Sequence, residues 1–246
     1  MSNGIAVISL SGGMDSTILL YTLLKDVSIK EIYVVSLDYN QRHKKELESA
    51  KNIVKYIQVN EFEGSKIKDH KILNLDLRQF NHDSVLVSDN DVPLQSELKQ
   101  GKTVVPYRNM LFTLLVASQA KSVGASEIYL GPVRQDHLSY PDCRKEFFDS
   151  LQQSLRLSGE DEELVIRTPF IYRDKKDLVK LGIELGVPFS VTWTCYVGKE
   201  RPCLECDACL EKTQSFYENN IQDPTLSEKE WKRAVEVYKK SNLVTV

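Results

Sequence analysis

Ile5-Ala6-Val7-Ile8-Ser9-Leu10-Ser11-Gly12-Gly13-Met14-Asp15-Ser16-Thr17-Ile18-Leu19-Leu20 decides the fold. The apolar run from Ile5 to Leu10 reads as a buried strand. Two adjacent glycines permit a tight turn over 11–15, and Ile18, Leu19, Leu20, Leu23 and Leu24 start a helix over 16–26. A strand leading through a glycine turn into a helix N-terminus makes an anion site, because unpaired N–H groups and the helix dipole converge on one point. The hydroxyls of Ser11, Ser16 and Thr17 add donors there. The plainer reading is a glycine turn with Asp15 or Ser16 as the helix N-cap. The turn has no Gly-Lys-Ser/Thr ending and no Gly-x-Gly-x-x-Gly spacing, so it is neither of the common nucleotide loops.

Outward from this unit, strands and helices alternate. A strand over 31–37 is followed by Asp38-Tyr39-Asn40-Gln41-Arg42-His43 and a helix over 44–58, with Leu47, Ala50, Ile53, Val54 and Ile57 on one face. Short joints of this kind predict a parallel sheet with right-handed crossovers. Ligands then bind beyond the C-terminal strand ends, so loops 11–15 and 38–43 share one crevice. Further on, the pattern predicts a strand over 71–77, a polar excursion over 80–103 and an apolar helix over 109–123. A strand over 127–130 and a helix over 142–157 follow, then an acidic turn over 158–163 and an extended piece over 164–171. The next helix, 174–185, has Asp174 as N-cap and stops at Gly186. From about 190 the character changes, with helices expected over 207–219 and 227–240. The expected organisation is an α/β domain over 1–190 and a helical, metal-binding region over 191–246.

Bulk composition sets outer limits. The 246 residues carry a net charge of −3, so no overall field draws the chain to nucleic acid or anionic lipid. Direct nucleic-acid binding is not expected. No apolar run approaches ~20 residues, which predicts no membrane helix, and the N-terminus lacks the pattern of a signal peptide. A cytoplasmic protein is expected. Four of the five cysteines, Cys195, Cys203, Cys206 and Cys209, follow C-x7-C-x2-C-x2-C. That spacing suits a closed tetrahedral Zn²⁺ site with a structural role. Spacing alone leaves an iron–sulfur cluster open.

The ordered motifs together resemble the 7-cyano-7-deazaguanine synthase family, within the PP-loop ATP pyrophosphatase superfamily. They are Ser11-Gly12-Gly13-Met14-Asp15-Ser16-Thr17, Asp38 to His43, Val105-Pro106-Tyr107-Arg108-Asn109, Asp136-His137, Tyr140-Pro141-Asp142-Cys143-Arg144, and Trp193-Thr194-Cys195-Tyr196 with the three later cysteines. The resemblance covers about residues 5 to 225. It implies a Rossmann-like sheet of the adenine-nucleotide-α-hydrolase type, with helices on both faces and a small zinc-binding appendage. It also implies ATP-dependent conversion of 7-carboxy-7-deazaguanine and ammonia into 7-cyano-7-deazaguanine.

ATP would then lie along Leu10, Ser11, Gly12, Gly13, Met14, Asp15, Ser16, Thr17, Ile18, Leu19 and Leu20, with Mg²⁺ on the phosphates and Asp15 a ligand. The deazaguanine would meet Tyr39, Gln41, Arg42, Arg108, Asn109, Tyr140, Asp142 and Arg144. Asp15, Ser16, Arg42, His43, Arg108 and Asp136 are the catalytic candidates, with His43 placed to deprotonate ammonia. A homodimer through helices 109–123 and 227–240 is implied as well. Cys143 is read as an unreactive thiol rather than a nucleophile.

Four positions in three motifs depart from the family pattern: Asn40 for Gly, Tyr107 for Gly or Asn, and Arg134-Gln135 for smaller residues. Asn40 can take the positive φ that Gly permits. Tyr107 and Arg134-Gln135 are expected to add bulk and charge in the substrate pocket. An alternative therefore keeps the adenylation but transfers the deazaguanine carboxylate to an amine of a protein or other acceptor. Transfer-RNA thiolation would need a second cysteine near the loop and a basic face, and neither is visible. A zinc-stabilised nucleotide sensor would bind ATP without turnover.

Overall fold

Residues Ile5–Ser9 form the central strand β1 of a parallel five-stranded sheet ordered β3-β2-β1-β4-β5. The computed structural model describes residues 3–80, 83–88, 92, 102–158 and 164–243. β1 pairs on one side with β2 (Glu31–Asp38), Ile8 opposite Val34, and on the other with β4 (Glu127–Tyr129), Ile8 opposite Tyr129. β3 (Ile67–Asn74) and β5 (Val165–Arg167) close the edges.

A central parallel strand is apolar on both faces because helices cover both. Ala6 and Ile8 join a core with Ile18, Leu19, Ile53, Ile57, Leu178 and Val179. This face is covered by α1 (Met14–Lys25), α2 (Lys45–Asn60) and α6 (Lys175–Glu184). Val7 turns the other way, to Val35, Leu37, Val116, Ala117, Ala120 and Ile128, under α3 (Arg108–Val123). The expected α2 face, Leu47, Ala50, Ile53, Val54 and Ile57, is buried throughout.

Several boundaries move for identifiable reasons. α1 begins at Met14, with Gly13 as its N-cap, so neither Asp15 nor Ser16 caps it. β3 begins at Ile67, four residues ahead of its expected start, and ends at Asn74. The helix expected over 142–157 starts only at Lys145, as α5 (Lys145–Leu157), and is preceded by a turn at Pro141–Cys143 and by the short α4 (Asp136–Ser139). Proline fixes φ and lacks the N–H that a continuous helix would use. β5 is short because Thr168-Pro169 leaves the ladder for a turn. The excursion over 80–103 and the acidic turn over 158–163 lie largely outside the described residues.

The C-terminal elements α7 (Asp207–Tyr217) and α8 (Glu228–Leu243) pack in sequence from α6. Lys212 on α7 and Asp223 form a buried ion pair at 3.1 Å, and Lys212 also donates to Thr225. Among the described residues no helix is long and apolar enough to cross a membrane.

Candidate active site

The turn between β1 and α1 is held from several directions. Gly12 has φ +92°, and a Cβ there would stand 2.1 Å from the Glu46 carbonyl and 2.8 Å from the Ala50 nitrogen of α2. Only glycine gives both that dihedral and that approach. The Trp193 N–H donates to the Gly12 carbonyl at 2.9 Å, tying the cysteine-rich segment to the turn. The Ser16 hydroxyl accepts from the Ser11 N–H and lies 3.1 Å from Ser11 Oγ. Thr17 Oγ1 donates to the Gly13 carbonyl at 2.7 Å. The turn is therefore rigid, with the first N–H groups of α1 beyond it.

A cavity of about 270 Å³ opens over this turn at the C-terminal strand ends. Ser11, Gly13, Asp15 and Ser16 form one wall, Leu37, Tyr39 and His43 another, and Arg108, Asn109, Phe112 and Tyr140 a third. Of the other expected site residues, Leu10 and Asp136 also line it. Gly12, Met14, Thr17, Ile18, Leu19 and Leu20 turn away, and Met14, Ile18, Leu19 and Leu20 belong to the core. Gln41 is buried beside the cavity, and Arg42 does not line it. Asp142 accepts from the Asn109 N–H at 3.3 Å, and Arg144 donates to the His137 carbonyl at 3.1 Å, so both work on the surrounding frame.

Two charged features border the cavity, one in its lining and one behind it. Arg108, the first residue of α3, lies 5.6 Å above the Tyr140 ring and has no carboxylate partner among the described residues. Its charge is left for a ligand anion. The second feature is one that the sequence did not disclose. Lys175, at the start of α6, approaches Asp15 (3.9 Å), Asp136 (3.7 Å) and Glu211. The lysine absent from the turn thus arrives from 160 residues away. The available signal was a Lys-Lys pair at a helix N-terminus, where the dipole disfavours cations. Burial alone would lower the Lys175 pKa, but Glu211, Asp136 and Asp15 together raise it above the ordinary lysine value. Asp15 is pushed from 3.8 to about 6, first by burial, against the opposing pull of Lys175. One of its oxygens, Oδ1, is buried with no hydrogen-bond partner.

Cys143 lines the cavity and accepts a 3.1 Å hydrogen bond from Asn109 Nδ2. Burial, with Asp136 and Asp142 nearby, pushes its thiol up to about 12, so it stays neutral. That argues against a nucleophile.

Two expectations about the departures from the family pattern are corrected. Tyr107 is 73% exposed and does not line the cavity. It sits at φ +60° as the N-cap of α3, a left-handed position like that of Asn40 at φ +61°. Arg134 and Gln135 also turn away from the cavity. Arg134 donates to Asp174 and to the Tyr172 carbonyl, while Gln135 bonds Asp174 and accepts from the Lys175 N–H. They fasten the start of α6, and with it Lys175.

The four cysteines converge. Their Sγ atoms lie within 4.8 Å of one another, with Cys206 as the N-cap of α7. Four converging thiols with Cys-x2-Cys steps fit a metal ion. A larger hollow, about 350 Å³, adjoins this cluster. Its cations are already committed, Lys45 to Glu200, Arg201 to Glu230 and Lys212 to Asp223, which leaves none for an anionic ligand.

Comparison with known proteins agrees with this geometry. Residues 5–220 match the family described as Queuosine biosynthesis protein QueC. The 7-cyano-7-deazaguanine synthase of Archaeoglobus fulgidus is 39% identical over 235 residues, covering 95% of this chain and 94% of its own. That of Thermoplasma volcanium is 39% identical over 227 residues, covering 89% of each. Among solved structures, NMN synthetase from Francisella tularensis superposes with a TM-score of 0.50 at 15% identity, covering 96% of this chain and 84% of that one, a likeness of fold.

Proposed function

Because the chain belongs to the QueC family of queuosine biosynthesis proteins, we propose that it joins ammonia to 7-carboxy-7-deazaguanine at the expense of ATP and carries the amide on to 7-cyano-7-deazaguanine. The observation that carries the reading is one cavity lined on one side by the Ser11–Ser16 turn and on another by Arg108, which has no carboxylate partner among the described residues.

A carboxylate is a poor acyl donor because oxide would have to leave. Attack of its oxygen on the α-phosphorus of ATP expels pyrophosphate and leaves an acyl-adenylate, whose leaving group is AMP. Such a step mainly needs alignment and charge neutralisation. Ser11, Ser16 and the first amides of α1 receive the pyrophosphate, with Lys175 beneath them. Arg108 orients the carboxylate. Ammonia displaces AMP to give the amide, and adenylation of the amide oxygen followed by loss of AMP gives the nitrile. Tyr39, Tyr140 and Phe112 offer faces for the flat heterocycle.

When ionised, Asp15 and Asp136 in the cavity lining and Glu211 behind them outnumber Lys175, so the floor below the turn is negative. A polyphosphate tolerates such a floor only with a divalent cation between them. The orphaned Asp15 Oδ1 suits Mg²⁺, which Asp15 and Asp136 would hold and which would neutralise charge on the phosphates. Zn²⁺ suits the four thiolates, in a structural role, holding the 192–206 segment against the turn. The exposed Met110 and Leu114 on α3 support the expectation of a homodimer. Tyr107 and Arg134-Gln135 lie off the cavity, so nothing in its lining favours an acceptor other than ammonia.

The test is incubation with ATP and 7-carboxy-7-deazaguanine, with and without ammonium, followed by mass spectrometry. The nitrile is expected only with ammonium. Adenylation that yields neither amide nor nitrile, but conjugates to a protein amine, would favour the other acceptor.

A further inference from the structure

His43 is 3% exposed and lines the cavity, yet only one of its ring nitrogens has a partner. Nε2 lies 3.3 Å from Glu46 Oε2. Because a carboxylate only accepts, Nε2 carries a proton, so in the neutral ring the lone pair is on Nδ1. Nδ1 is buried with no protein partner. The other oxygen of Glu46, Oε1, accepts from Gln41 Nε2 at 2.9 Å. Gln41 is fully buried and held in turn, accepting from the Tyr39 N–H at 2.9 Å and donating to the Leu37 carbonyl at 3.3 Å. This chain of contacts fixes both the tautomer and the orientation of the imidazole. A capping role does not account for it, since the N-cap of α2 is Lys44 and has no side-chain cap bond.

The surroundings suit a small cation that arrives and leaves neutral. The rings of Tyr196 and Tyr39 flank the imidazole, with centroids 5.5 and 6.4 Å away. Both phenols are held protonated, first by burial. Among the described residues, the charged groups that line the cavity with His43 are Asp15 from α1, Glu46 from α2, Arg108 from α3 and Asp136 from α4. The ring faces and the carboxylate attract ammonium, whereas Arg108 disfavours a cation at the carbonyl it orients.

On the reading of the cavity given above, we infer that Gln41 and Glu46 position His43 as the base that turns ammonium into ammonia for the amination step. Nδ1 takes one proton from ammonium. The freed nitrogen lone pair attacks the acyl-adenylate carbonyl, the C–O bond to AMP breaks with its electron pair leaving on AMP, and the second proton is lost from the adduct nitrogen to solvent. His43 is the catalytic residue here, while Glu46 and Gln41 act through it.

The experiment compares His43→Asn, Glu46→Gln and Glu46→Asp in the full-length protein. Adenylation is read as carboxylate-dependent pyrophosphate–ATP exchange without any amine. Amination is read as kcat/KM for ammonium across pH, and again with hydroxylamine, which is a neutral nucleophile near pH 7 and needs no base. His43→Asn is expected to lower kcat/KM for ammonium by about 100-fold near neutral pH, and Glu46→Gln by about tenfold or more. Raising the pH, which supplies free ammonia, is expected to restore most of the loss, and Glu46→Asp to recover part of it. With hydroxylamine the same variants should stay within about threefold of the parent. Equal losses with both amines, or adenylation falling in parallel, would assign His43 and Glu46 a merely structural role and overturn the inference. Absence of carboxylate-dependent exchange in the unmodified protein would instead overturn the proposed function.

Discussion

Replacing Asp15 with Asn is predicted to stabilise the free protein while removing its activity. Asp15 Oδ1 is buried without a partner, and Oδ2 reaches Lys175 only at 3.9 Å. The pKa rise from 3.8 to about 6 measures what the ionised carboxylate loses by being there. Two units correspond to about 3 kcal/mol. The side chain is 23% exposed, and water takes up part of that, so about 1–2 kcal/mol is expected from an isosteric neutral group. The sign follows from linkage. The folded chain holds this proton more tightly than the unfolded chain, so the cost is absent well below pH 3.8, grows as pH rises and is complete above about 6. Lys175 keeps Glu211 and Asp136 in the variant. At this chain length 1 kcal/mol shifts Tm by about 2–4 °C. Thermal unfolding without nucleotide or magnesium should therefore place Asp15→Asn about 2–8 °C above the parent at pH 7.5, with most of that gain gone by pH 4. A variant no more stable at pH 7.5, or equally stabilised at pH 4, would refute the reasoning.

Lys175→Met should lower the rate of pyrophosphate release by about 100-fold or more, since it removes the cation that approaches all three carboxylates; stopped-flow detection of pyrophosphate measures it. Gly12→Ala should cost about 3 kcal/mol or more in urea unfolding, because the new Cβ meets the α2 backbone at 2.1 Å with φ at +92°. Tyr107→Gly should raise stability by about 0.5–1 kcal/mol, as the exposed ring gives up little and the left-handed strain is relieved. Cys209→Ser should reduce bound metal, measured by elemental analysis, from about one ion per chain to a small fraction of that, and lower Tm.

The sheet was legible where the information is local. The β1–turn–α1 unit and the apolar face of α2 follow from periodicity within twenty residues, and both stand where expected. β3 was placed late because it is an edge strand in which only Ile67 is buried, which dilutes the alternation. At the site, the turn, Tyr39, His43, Arg108 and Asn109 fall together because each follows a strand end or opens a helix there. Lys175, Glu211 and Glu46 were missed because nothing local ties them to the turn: the lysine pair at the start of α6 says that a cation needs a partner, not which one, and the packing of α6 and α7 beside α1 brings Lys175 and Glu211 up behind Asp15. Arg134 and Gln135 were misjudged for the converse reason. Proximity to a motif in sequence does not fix the direction of a side chain, and theirs run to Asp174.

Supplying 7-carboxy-7-deazaguanine labelled with ¹⁸O in its carboxylate, and following the products by ³¹P NMR, bears most directly on the role given to the Ser11–Ser16 turn. The label should appear in AMP, with unlabelled pyrophosphate formed alongside it. Release of ADP and phosphate, or AMP without the label, would contradict the account.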